Sequence, residues 1–463
     1  MLGTVTFEGK GGSTGLVGLA LAVLGTACSG SSGDAIAVDD AVDPQLVGRL
    51  RGVIAQELIL PIAPAPTFSP ELLALGQALF FDKELSGNRD VSCATCHLPN
   101  EGGGDGRALP RGVGGVGLGP QRVAGAIVPR NSPTVLNAHL VDTLFWDGRV
   151  ELRPNGTLVT PAGAALTPAM IAVFEPGLEA LAAQAMFPPT SRDEMRGFAG
   201  ENEIADVDDD EIAAIWEAVV ARLTAIPEYV GLFADAYPGT AVDELSMAHV
   251  GNAIAAFEAS AFHAVDSPFQ AFLLGDDLAL SNEELMGGLE FFGPIARCSQ
   301  CHDGSTFTDE RFHNIGMAQF GPGKGHGPLG EDDFGREGVS ASPQDRYEFR
   351  TPPLLNVELT APYGHAGQFS TLASMTGHYR NATQSLRDYS IAEHVDDPEL
   401  LGTLVPNEND VLARLSNRVD DALPFDAASV TAFLRALTAN SARDLSAIVP
   451  TSVPSGLSVD GSS

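Results

Sequence analysis

The sequence predicts a mostly α fold made of two related helical units. Three observations carry that prediction. Apolar residues recur at three- and four-residue spacing in several long segments, while alternating strand patterns are rare. Two of the predicted helices run into a short loop and then a Cys-x-x-Cys-His motif. Long Gly/Pro-rich stretches at 98–133 and 316–353 join the pieces, and loops of that length usually carry function.

The elements follow in chain order. An apolar run from Leu16 to Ala27 is too short to span a bilayer and has the length of a signal-peptide core. It ends in small residues at Cys28 and resembles a bacterial lipoprotein signal, with Cys28 as the lipidated residue and a lipid anchor as the consequence. Ordinary cleavage that discards Cys28 is the alternative. Residues 1–28 therefore read as a signal and 29–46 as a flexible acidic tether. "SPELLALGQALFF" has Ser69 as N-cap and Pro70 at the first helical position. "DEIAAIWEAVVARLTA" (210–225) and "ELSMAHVGNAIAAFEASAF" (244–262) are amphipathic helices. "SNEELMGGLEFF" opens on a capping box, Ser281 with Glu284. "STLASMTGHYRN" (370–381) and "AASVTAFLRALTA" (427–439) complete the helices. The expected division is an N-terminal domain at 47–275, a C-terminal domain at 276–445 and a disordered tail at 446–463.

A formal net charge of −34 excludes nucleic acid as a partner, because phosphates would be repelled. It suits solubility outside the cytoplasm, or steering of a basic partner such as a small cytochrome.

With Cys28 assigned to the signal, four cysteines remain, all within "CATCH" (93–97) and "CSQCH" (298–302). Such a motif reads as c-type haem attachment. Each thiol adds to a haem vinyl group, and the adjacent His reaches the iron. Cys93, Cys96 and His97 would hold one haem, and Cys298, Cys301 and His302 the other. A four-cysteine zinc site is the main alternative, but its pairs usually lie about 15–20 residues apart. A thioredoxin-like redox pair lacks its βαβ context, and disulfides within the motifs would be strained. Covalent haem also agrees with export to the periplasm.

"RNSPTVLN" (130–137), "FWDGR" (145–149), "FRTPPLLNVELTAPYGHAG" (349–367) and "VTAFLRALT" (430–438) join the two motifs in an order that resembles the bacterial di-haem cytochrome c peroxidase / MauG family. The resemblance covers about residues 66–440. It implies two cytochrome c-like domains, a peroxidatic N-terminal haem and an electron-transfer C-terminal haem. It further implies reaction with hydrogen peroxide. Electrons would come from a small cytochrome or copper protein, or from a partner protein that is itself oxidised.

Site residues follow from the same resemblance. Glu194 matches the acid–base glutamate, with Gln184 and Pro188 lining its pocket. Many family members place a His in the loop after the first motif, which closes the sixth position. Residues 98–138 here contain none, so the N-terminal haem is expected to stay open. Aligning on "APYGHAGQ" puts Tyr379 at the sixth-ligand position of the second haem, with Met375 second and His378 third. Trp146 matches the tryptophan between the haems. Asn131, Thr360 and Pro362 match an inter-haem calcium site, and oxygen donors suit Ca²⁺. One departure is an insert at 151–177, between "FWDGR" and the distal segment. Together with the missing loop His and Tyr379, it favours oxidation of Trp or Tyr side chains on a partner over plain peroxide removal. A non-catalytic di-haem electron carrier is the reading from another class.

Overall fold

The computed structural model describes residues 41–419 and 423–461. The signal and Cys28 lie outside the described residues. Among those described, no helix is long and apolar enough to cross a membrane.

Two crossed helix pairs organise the chain. Pro70–Phe81 crosses Met247–Ala261, and Asn282–Phe291 crosses Ala427–Arg435. Ser69 accepts a hydrogen bond from the Leu72 amide, and Ser281 closes its capping box with Glu284. Both crossings use the same device. A Cβ at Gly76 would stand 2.0 Å from the Ala253 carbonyl oxygen, and one at Gly287 would stand 1.9 Å from that of Ser429. Only glycine permits backbones that close. Four and five residues after each glycine come two phenylalanines, Phe80–Phe81 and Phe291–Phe292. Phe80 packs on Phe257, and Phe291 on Phe433, with ring centroids 5.5 and 5.3 Å apart. The two units are thus one design used twice.

Strands are short. Thr143–Leu144, Val150–Leu152 and Leu158–Val159 form an antiparallel three-stranded sheet, and Phe312–His313 pairs with Phe349–Arg350. The insert at 151–177 supplies the outer part of the first sheet. It returns to the helix Met247–Ala261 through a 2.6 Å bond from the Glu175 amide to Asn252 Oδ1.

The two main hydrophobic clusters do not respect the expected boundaries. The helix Pro44–Gln56, N-capped by Asp43, sends Val47, Leu50 and Ile54 into the C-terminal cluster with Phe272, Leu285 and Phe433. Residues 44–56 therefore belong neither to a tether nor to the N-terminal unit. The N-terminal cluster instead takes Ala442, Leu445 and Val453 from the far end of the chain. The expected disordered tail is corrected too. Ser455 Oγ donates to Asp82 Oδ1 at 2.6 Å, and Asp460 pairs with Lys83 at 2.6 Å and accepts from the Thr95 hydroxyl. Those polar partners, together with Val453 in the N-terminal cluster, hold 446–461. Thr95 lies between Cys93 and Cys96, so the tail buttresses the first motif.

Candidate haem cavity and its walls

Each Cys-x-x-Cys-His motif forms a tight turn. Cys93–Cys96 is a single helical turn in which Ser92 and Thr95 cap each other, and Cys298–Gln300 is a 3₁₀ turn. His97 Nδ1 lies 3.0 Å from the Gly103 carbonyl, and His302 Nδ1 lies 2.9 Å from that of Phe307. A ring nitrogen that donates to a carbonyl fixes the tautomer and presents the other nitrogen as a ligand. Burial lowers both imidazole pKa values, which favours the neutral form a metal needs. All four thiols are free, which removes the disulfide alternative. Among the described residues the four sulfurs do not gather into one cluster, so a four-cysteine zinc site is not formed.

One continuous cavity is lined by both motifs. Glu194, Gln184, Pro188, Trp146, Asn131, Thr360, Pro362, Met375 and Tyr379 all line it as well. The structure therefore brings the expected site residues to one place. His378 is the exception. Its Nε2 is 2.8 Å from the Ile315 carbonyl and its Nδ1 is 2.9 Å from Ser385 Oγ, so both nitrogens are engaged away from the cavity. Tyr379 and Met375 remain as candidate ligands. Among the described residues nothing hydrogen-bonds the Tyr379 hydroxyl, and burial raises its pKa.

The lining also fits the charge of the expected group. Among the described residues, Arg130, Arg149, Arg297, Lys324, Arg350 and Arg418 line the cavity with Glu194 and Glu258, Arg130 and Arg149 being paired with Asp147 and Asp333 behind it. Guanidinium and ammonium groups on the wall suit cofactors that carry carboxylates. Two haems bring four propionates.

Glu194 sits on the turn Arg192–Arg196, which is held from both sides. The Gly87 amide donates to the Met195 carbonyl at 2.7 Å, and the Val113 amide to that of Asp193 at 3.1 Å. Arg196 is buried and anchors the turn through Asp209 at 2.7 Å and the Ile204 carbonyl at 3.2 Å. The loop after the first motif packs directly on it. A Cβ at Gly112 would lie 1.9 Å from the Asp193 carbonyl oxygen. Gly112→Ala is therefore expected to displace Glu194 and slow peroxide turnover by up to about 10²-fold at unchanged haem content. Stopped-flow spectroscopy with hydrogen peroxide measures it.

Three of the four signature segments are wired to one another. Trp146 Nε1 donates to the Asn131 carbonyl at 2.9 Å, and the Asn131 amide donates to the His365 carbonyl at 2.8 Å. The Arg350 amide donates to the Trp146 carbonyl at 2.8 Å. His365 is buried and stacks on Phe349 with centroids 3.6 Å apart.

Residues 70–278 match the family described as di-haem cytochrome c peroxidase. The chain is 33% identical over 354 residues to the methylamine utilization protein MauG of Methylorubrum extorquens, covering 76% of this chain and 80% of that protein. The chain belongs to the di-haem cytochrome c peroxidase / MauG family. It is also 33% identical over 308 residues to the cytochrome c551 peroxidase of Pseudomonas aeruginosa, covering 66% of this chain and 71% of that one. A crystal structure of a MauG-like protein associated with microbial copper homeostasis superposes with a TM-score of 0.55 at 26% identity, over 83% of this chain and 94% of that one. This family member is thus a haem peroxidase-type enzyme with the family's mostly helical fold.

Sequence reasoning missed several ionisable residues on the cavity wall. Lys324 comes from the second long loop and interacts electrostatically with Glu194. Glu258, on the helix Met247–Ala261, lies beside Cys93 with Oε2 buried and without a hydrogen-bond partner. Neither has a local motif to mark it. Burial raises the Glu258 carboxyl to about 8. It therefore holds its proton more tightly folded than unfolded. The stability this confers is complete below about 4.5 and is lost as pH rises to about 8. Glu258→Gln should flatten that decline, whose slope is at most about 1.4 kcal/mol per pH unit. Urea unfolding of both proteins between these limits reads it.

Proposed function

We propose that this chain is an exported, periplasmic di-haem oxidoreductase in which hydrogen peroxide reacts in the pocket between the Cys93–His97 motif and Glu194. Bound haems would supply the one-electron redox chemistry, covalently held at Cys93/Cys96 and Cys298/Cys301. His97 and His302 would be their proximal ligands and Tyr379 the second ligand at the C-terminal motif. Reducing peroxide to two waters consumes two electrons and two protons. Glu194 takes a proton from the near oxygen and returns one to the leaving oxygen. Gln184 and Pro188 border the pocket and shape access. Trp146, fixed by its bond to Asn131, would serve as the relay between the two motifs. Asn131, Thr360 and Pro362 would bind Ca²⁺ through oxygen.

The observation that carries this reading is the shared wall. Glu194, Gln184 and Pro188 face the same cavity as the first motif, and residues 98–138 bring no imidazole to close it. Electron paramagnetic resonance of the ferric protein tests it. One high-spin haem is expected. Two low-spin haems would contradict it and favour the electron carrier.

A second reading, oxidation of Trp or Tyr residues on a partner protein, is favoured by Tyr379 on the wall of the second motif and by the insert that enlarges the Thr143–Val159 sheet. A small basic cytochrome or copper protein is the electron source in the first reading. Peroxide consumption that requires such a donor separates the two.

A further inference from the structure

Arg350 is an anomaly in this cavity. The residue is only 6% exposed, yet it lines the cavity that both motifs share. Its backbone is fixed there, since its amide bonds the Trp146 carbonyl and Thr308 Oγ1 holds the Thr351 carbonyl at 2.6 Å. A guanidinium has five N–H donors. Arg350 uses them on two long bonds to carbonyls, Phe145 at 3.3 Å and Thr351 at 3.3 Å. Among the described residues no carboxylate pairs with it. Glu310 acts on it from a distance, but Glu310 Oε2 already accepts from the Asp142 and Thr143 amides. Arg130 on the same wall is a contrast, with two carboxylates at 2.6 Å. A buried cation without a counter-ion is costly unless an anion completes it. Burial accordingly lowers the Arg350 pKa to about 10.

We propose that Arg350 binds a haem propionate in the cavity that both motifs line and sets that haem's reduction potential. The planar fork of the guanidinium suits a carboxylate, and the residue lines the cavity that both motifs share. A fixed positive charge beside a propionate disfavours the ferric state, so it raises the potential.

This inference rests on the two-haem reading, and its test separates the two. Haem content is measured first by pyridine haemochrome, and wild type without haem defeats both. In holoprotein with two haems, Arg350→Gln should lower the midpoint potential of one haem in a spectroelectrochemical titration, and Arg350→Lys should restore most of the shift. Unchanged potentials in Arg350→Gln overturn the proposal while leaving the two-haem reading standing. If the Gln variant does not mature, a crystal structure of the wild-type holoprotein decides. A propionate oxygen within hydrogen-bond distance of the Arg350 guanidinium supports the proposal. Propionates all directed elsewhere overturn it.

Discussion

Glu194→Gln is expected to slow reaction with hydrogen peroxide by about 10²- to 10⁴-fold while leaving haem content and fold intact. Gln keeps the shape and one acceptor but cannot take up and release the proton. The turn that carries Glu194 is held by Gly87, Val113 and Arg196, none of which touches the carboxylate. The substitution therefore isolates proton transfer from positioning. Stopped-flow mixing of the ferric protein with peroxide reads the rate directly. A variant that reacts at the wild-type rate would remove Glu194 from the chemistry and leave Lys324 or solvent as the proton path.

Arg130→Met is expected to destabilise the fold by about 3–5 kcal/mol. Arg130 bridges Asp333 at 2.6 and 2.8 Å and Asp147 at 2.6 Å, and all three are buried. Asp147 belongs to the "FWDGR" segment and Asp333 to the second long loop, so one guanidinium ties that loop to the turn that carries Trp146. Removing it leaves two buried carboxylates facing each other. Against the cost of burial, Arg130 holds the Asp333 carboxyl down to about 2. The stability from that pairing is present above about 3.8 and is lost as pH falls towards about 2. Denaturant unfolding at neutral pH and at pH 3 should therefore show the largest gap between variant and wild type at neutral pH.

Much of the fold was legible because helix caps and periodicity are local signals. Ser69–Pro70 and the Ser281–Glu284 box mark true helix starts. The repeated glycine followed by two phenylalanines is also written in the chain. Its meaning as a crossing point becomes visible only when the partner helix, remote in sequence, is in place. Domain membership was not legible for the same reason. Val47, Leu50 and Ile54 announce an apolar helix face, but nothing local says that the face meets Phe433 rather than the adjacent helix. The order of the tail was not legible because Asp460 and Ser455 are held by polar bonds to residues remote in sequence, which leave no period. Motif residues of the site were readable, since attachment chemistry requires adjacent residues. Glu258, Lys324 and Arg350 were not, because each reaches the cavity alone from a different element.

The central claim is that each motif anchors one haem through its own pair of thiols. The intact mass of the purified, denatured chain tests it most directly. The expected mass exceeds that of the polypeptide by two haems, and the Cys93→Ala/Cys96→Ala double variant should keep one. A denatured chain that sheds all its porphyrin would contradict it.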